Sequence, residues 1–274
     1  IMLRHEVNFP NSLGLFYSAV TKAVGLKPME DEYILMGMAA YGKPVYKTKM
    51  ETHLFDAPAD DLYNCLKTIN MSKGLPKSFM SQEALQDEQV QFDLAASAQA
   101  VVEERIFNYC KLAFKYTSST NLVYQGGVAL NCVANSMLYD IFKNIWVMPN
   151  PGDAGSSLGA AALYYFEQTG KFVDWEGPYL GTNIEGKWPK EKFLESLGKG
   201  DIFGIANGKA EFGPRALGNR SLFADARGTE IKDKVNAIKR RQEFRPFAPI
   251  VLEEHARDWF DMPGGIINSP YMSF

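Results

Sequence analysis

The feature that most constrains the fold is an alternation between Asn121 and Gln168. Asn121–Gln125 has strand character and runs into Gly126-Gly127, after which residues 131–142 carry a helical pattern. Ile145–Met148 repeats the strand character, Pro149-Asn-Pro-Gly-Asp153 forms a second turn, and small residues from Gly155 to about Gln168 predict a second helix. Strand, glycine turn and helix, twice in succession, predict an α/β arrangement. Such folds present ligands at the carboxyl ends of their strands.

The surrounding chain is predicted to support this unit. Leu13, Phe16, Val20 and Val24 recur at helical spacing, with Ser12 placed to cap and Gly25 to stop the helix. A short helix is expected over Tyr33–Ala40. Phe92, Ala95, Gln99, Val102, Ile106, Tyr109 and Ala113 trace one face of a long helix. Residues 45–90 are less periodic and read as a connection with short helices. Trp175-Glu-Gly-Pro178 reads as a linker, which divides the chain into domains of 1–174 and 175–274. Beyond it, residues 179–200 read as turn-rich and Ile202–Ala206 as a strand. A helix capped by Thr229 is expected to run to about Arg240. A strand over Phe247–Leu252 and a helix over Glu253–Phe260 follow.

Charge singles out one stretch. Lys209–Pro249 carries ten cations against five acids, a net +5 in a chain of net −3, so the remainder is −8. Within it, Gly-Pro-Arg-Ala-Leu-Gly-Asn-Arg places Arg215, Asn219 and Arg220 among loop-fixing residues. Lys239, Arg241 and Arg245 follow. Held guanidinium groups offer planar, permanently charged forks to phosphate or carboxylate. A solvated basic face neutralised by Glu211, Asp225 and Glu243 is the alternative. Surface pairs contribute little, so they do not account for so rigid a loop.

Two glycine motifs have double readings. Gly126 and Gly127 permit close approach of a nucleotide to the backbone, with Asn131 contacting it, or they make a tight turn with Asn131 as a helix cap. Asp153 beside Gly155, Ser156 and Ser157 is a metal or phosphate site at a helix start, or simply a cap.

Other classes lack support. A net charge of −3 and a pI near 5.8 argue against a general nucleic-acid binder. Cys65, Cys110 and Cys132 are scattered, as in a reducing, cytoplasmic setting. No apolar run reaches membrane-spanning length. His5, His53 and His255 show no metal spacing, and zinc-protease, serine-hydrolase and P-loop signatures do not occur.

Taken together, EFGPRALGNRS (211–221) and FRPFAP (244–249) resemble the carboxyl-terminal signature of NodU/CmcH-type carbamoyltransferases. SLGLFYSAV (12–20), ILMGMAAYG (34–42), GGVALN (126–131) and PGDAGSSLGAA (151–161) resemble that family's first domain, in the same order. The resemblance implies a partial TsaD-like ASKHA domain, of the actin and sugar-kinase type, followed by a partial YrdC-like domain. It implies carbamoyl phosphate and ATP as co-substrates, carbamoyl-adenylate as the intermediate, and a hydroxyl on a small molecule or sugar as acceptor. Iron or another divalent metal serves the transfer step in the family. By position, Arg215, Asn219, Arg220, Lys239, Arg241 and Arg245 would hold phosphates, Gly126, Gly127, Asn131 and Gly155 the nucleotide, and Asp153 the metal.

The family's metal site also uses an HxxxH pair upstream of the SLGLFYSA segment, and this sequence contains no HxxxH. The chain is therefore read as part of a longer protein, not expected to carry out transfer by itself. A tRNA threonylcarbamoyl-type enzyme and a non-catalytic nucleotide-binding ASKHA module are the alternatives. The first lacks a broad basic surface, and the second does not account for the shared presence of Arg215, Arg220, Lys239 and Arg245.

Overall fold

In the computed structural model, residues 2–56, 66, 74–263, 266 and 269–274 are described. Packing divides the chain into two compact units. One comprises Ile1–Val123, Leu130–Trp146 and Phe274, and the other Tyr124–Ala129 and Val147–Ser273.

The first unit is built on helices. α1 (Leu13–Ala23) starts at Ser12, whose side chain accepts from the Gly14 N–H. α2 (Glu32–Met38) continues into a 3-10 turn over Ala39–Tyr41, and α3 (Lys47–Leu54) follows. The long helix α4 (Glu88–Thr117) is capped by Asp87, which accepts from Gln89 and Val90. α1, α2 and α3 all pack on α4. Phe16, Leu35, Met50, Leu54, Leu94 and Val101 are fully buried between them. Arg105 shares this core, its guanidinium 3.6 Å over the ring of Phe55. Burial pushes the Cys110 thiol up to about 11.

The predicted strand–turn–helix–strand is present but shorter than its sequence pattern. β1 (Asn121–Val123) pairs in parallel with β2 (Asn144–Trp146). Between them lie a 3-10 turn at Gly127–Leu130, α5 (Cys132–Ser136) and a second 3-10 turn at Met137–Asp140. Parallel pairing through a helical crossover is the α/β arrangement expected from the sequence.

The second unit opens with α6 (Asp153–Thr169), closed by Gly170 in the left-handed conformation. β3 (Asn183–Ile184) pairs antiparallel with β5 (Gly208–Lys209), and β4 (Phe203–Ala206) with β6 (Arg220–Phe223). α7 (Lys190–Gly198) covers β4 and β6, with the Phe193 ring 5.7 Å from Phe203 and 5.3 Å from Phe223. α8 (Ile231–Ile238) and α9 (Ala256–Trp259) complete it.

Several expectations are corrected. Residues 179–200 are not only turns, because Phe193 and Leu197 stand one helical turn apart on the half-buried face of a formed helix. α8 is preceded by Glu230 rather than capped by Thr229. Phe247–Leu252 forms no strand. Pro246 and Pro249 supply no N–H to a ladder, and no described strand pairs with the segment. The Glu253–Phe260 helix divides into a 3-10 turn at Glu253–His255 and α9. Part of the 45–90 connection, including Cys65, lies outside the described residues. Among the described residues no helix is long and apolar enough to cross a membrane.

Candidate functional site

Within the second unit, three separate sequence motifs meet at the turn Pro149–Gly152. The Gly126 N–H donates to the Pro151 carbonyl at 2.7 Å, and the Gly155 N–H donates to the Gly152 carbonyl at 3.0 Å. A Cβ on Gly155 would stand 1.8 Å from the Asn150 oxygen, and one on Gly213 would stand 2.5 Å from the Pro149 oxygen. The glycine turn, the Asp153 turn and the arginine loop are thus neighbours. Gly155 is required for backbone packing and its N–H is committed. Gly127 has open space around it.

Asp153 is the first residue of α6 and is exposed. It does not cap the helix, since Gly152 takes that position without a side-chain bond. Among the described residues no three His, Cys, Asp or Glu side chains cluster as a metal site would. One exposed carboxylate does not retain a divalent ion against water, so the described residues do not by themselves fit the metal that the resemblance implies.

The arginine loop is organised by an acid. Glu211 Oε1 accepts from the backbone N–H groups of Leu217 at 2.8 Å, Asn219 at 2.8 Å and Arg220 at 3.1 Å. Burial pushes its carboxyl upward, but these backbone donors outweigh that and hold it below the usual carboxylate range. The Arg220 guanidinium spans four carbonyls, those of Asn207, Asn219, Thr182 and Gly208, at 2.7–3.1 Å. It ties β3, β5 and β6 together. Asn219 Nδ2 donates to the Lys209 carbonyl at 2.8 Å, and the Tyr179 hydroxyl donates to that of Leu217 at 3.0 Å. Arg215 sits half-buried between Gly213 and Gly218.

A second group gathers after α8. Buried Asn236 donates through Nδ2 to the carbonyls of Glu243 at 3.0 Å and Arg245 at 3.1 Å, while its Oδ1 accepts from Arg241 Nε at 2.6 Å. The Arg241 guanidinium also lies 4.3 Å from the Phe247 ring centroid. Burial, then the adjacent charges of Arg241 and Arg245, lower the pKa of Lys239. Lys239, Arg241 and Arg245 thus belong to one folded segment after α8. Arg227 is occupied elsewhere, paired with Asp225, whose carboxyl that bond draws down to about 2.

Asn131 belongs to the first unit. It caps α5, its Oδ1 accepting from the Ala134 N–H at 3.1 Å, and it faces Gln99 on α4. The sequence reading did not assign Glu211 and Asn236 their roles around the basic residues of the second unit, nor Gln99 its role as the partner of Asn131 in the first. For Gln99 there was a signal, a polar residue in the apolar stripe of α4. Glu211 registered only as a neutralising charge.

The chain matches the family model described as carbamoyltransferase N-terminus over residues 1–162 and the one described as carbamoyltransferase C-terminus over residues 194–274. It is 35% identical to Nodulation protein NolO of Bradyrhizobium diazoefficiens over 98% of this chain and 54% of that protein. It is 36% identical to an uncharacterized protein of Synechocystis over 97% of this chain and 50% of that protein. With Nodulation protein U of Sinorhizobium fredii it shares 37% identity over 66% of this chain and 35% of that one. The chain spans about half the length of the first two relatives. Two matched models covering most of the sequence, together with these relatives, place the chain in the carbamoyltransferase family.

Proposed function

We propose that this chain supplies the activation site of an O-carbamoyltransferase, with a YrdC-like carboxyl-terminal part and an ASKHA-like amino-terminal part. In this reading carbamoyl phosphate is hydrolysed to carbamate and phosphate. A carbamate oxygen then attacks the α-phosphorus of ATP, pyrophosphate leaves, and carbamoyl-adenylate forms. An acceptor hydroxyl attacks the carbamoyl carbon, the bond from that carbon to the adenylate oxygen breaks, AMP departs, and the hydroxyl proton is lost.

The observation that carries the reading is the turn after α8, where buried Asn236 bonds the carbonyls of Glu243 and Arg245 and the side chain of Arg241 and so fixes a segment that carries Lys239, Arg241 and Arg245. Like charges gathered on one fixed turn form a positive field that favours an anion, and a polyphosphate supplies one. Attack at phosphorus adds negative charge, which preorganised guanidinium groups stabilise without having to move. Arg215 is assigned to the same anion from its place on the fixed loop. Arg220 is assigned a supporting role, because four of its N–H bonds go to carbonyls.

The test is release of pyrophosphate from ATP by the native polypeptide that carries these residues. Release should depend on carbamoyl phosphate, and Lys239→Ala or Arg245→Ala should reduce it by about 100-fold or more, the scale of losing a preorganised donor. Release independent of carbamoyl phosphate, or untouched by both substitutions, overturns the proposal.

A further inference from the structure

We propose that Glu211 is a positioning residue for the anion site: its carboxylate fills a nest of backbone N–H groups and so fixes the loop that presents Arg215. The inference rests on the reading of the basic residues as a phosphate site.

Three backbone donors, from Leu217, Asn219 and Arg220, converge on the single oxygen Oε1 of Glu211. Successive N–H groups turned toward one point make an anion receptor. In a glycine-rich phosphate loop that receptor takes the ligand's phosphate. Here a resident carboxylate takes it, six to nine residues back along the same chain.

Two consequences follow. First, an incoming phosphate meets side-chain cations rather than backbone amides, because the amides are already occupied. Second, the segment from Phe212 to Ala216 becomes a short arch between fixed ends. At one end the Phe212 N–H donates to the Pro178 carbonyl, and Gly213 lies against the Pro149 carbonyl in a conformation (φ +132°) that disfavours a side chain. At the other end the Tyr179 hydroxyl holds the Leu217 carbonyl, and the Gly218 N–H donates to Ser221 Oγ at 2.9 Å. Arg215 is in the middle of that arch. A guanidinium on a fixed arch loses less freedom on meeting a ligand than one on a mobile loop.

The experiment compares wild type, Glu211→Gln, Glu211→Ala, Arg215→Ala and the Glu211→Ala/Arg215→Ala double variant in the native polypeptide. Inorganic pyrophosphate affinity is measured by titration calorimetry, and amide hydrogen exchange is followed over residues 217–220. Glu211→Ala should speed that exchange at least tenfold and weaken pyrophosphate at least tenfold. Glu211→Gln, which keeps one acceptor oxygen but no charge, should fall between, and it decides the matter if the alanine variant does not fold. Removing Arg215 should cost less in the Glu211→Ala background than in wild type. Unchanged exchange overturns the nest, and faster exchange with unchanged affinity overturns the positioning role. If wild type binds pyrophosphate and the variants bind equally, only the inference falls. If wild type binds none, the phosphate reading falls and this inference falls with it.

Discussion

The side-chain amides of Gln99 and Asn131 face each other in the core of the first unit. Gln99 Nε2 donates to Asn131 Oδ1 at 3.0 Å, and Asn131 Nδ2 donates to Gln99 Oε1 at 2.9 Å. The same Gln99 oxygen accepts from the Tyr17 hydroxyl at 2.8 Å, and its nitrogen also donates to Glu103 at 2.8 Å. Burial and the charge of Glu103 raise the pKa of the Tyr17 hydroxyl, which keeps it a donor. Asn131 thus joins α5 to α4.

Loss of Asn131 should therefore be felt first in stability. Asn131→Ala removes a helix cap, worth about 1 kcal/mol, and leaves buried Gln99 short of a partner, a further ~1–3 kcal/mol. We expect a total of about 2–4 kcal/mol by urea denaturation. Gln99→Ala should be of similar size, and the double substitution should cost less than the sum of the two. Additivity within about 0.5 kcal/mol would show that the pair does not interact.

Periodicity and turn residues made much of this fold legible. The 3.6-residue stripe of α4, the Ser12 cap and the glycine stop of α1 locate those helices because each is a local signal. Locality also explains the failures. Phe247–Leu252 has strand-like residues, but a strand needs a partner, and a partner is a property of the fold. Within the site, the arginines announce themselves by charge. What each one binds does not: the sequence does not distinguish Arg220, spread over four carbonyls, from Arg241, held by Asn236. Glu211 was visible as an acid among cations, yet its role depends on three N–H groups that converge only when the loop closes.

The glycines separate packing from ligand access. Gly155→Ala places a Cβ 1.8 Å from the Asn150 oxygen, a backbone atom that cannot swing aside. It should destabilise by roughly 3 kcal/mol or more, at or beyond the upper end for overpacking. Gly127→Ala meets no atom within 4 Å, and its glycine is not in a left-handed conformation. Thermal unfolding of the two variants should show a large fall in Tm for the first and little change for the second. A loss of ATP affinity in Gly127→Ala at unchanged Tm would then mark this position as one where a ligand approaches the backbone.

The end of α8 offers a test in the opposite direction. The Arg241 N–H bonds back to the Asn236 carbonyl at 3.2 Å and the Arg240 N–H to that of Ala237 at 3.0 Å, the pattern of a Schellman cap. Glycine ordinarily takes the left-handed position in that cap, yet Arg240 stands there at φ +49°. A side chain in that conformation costs roughly 1 kcal/mol. Arg240→Gly should therefore raise stability by about 0.5–1 kcal/mol. Arg240→Ala removes the same charge but keeps the Cβ, so it should be less stable than Arg240→Gly by about that amount. The difference between the two in urea denaturation isolates the backbone term from the electrostatic one. Equal stability of the glycine and alanine variants would mean that the turn carrying Lys239, Arg241 and Arg245 is held without strain at position 240.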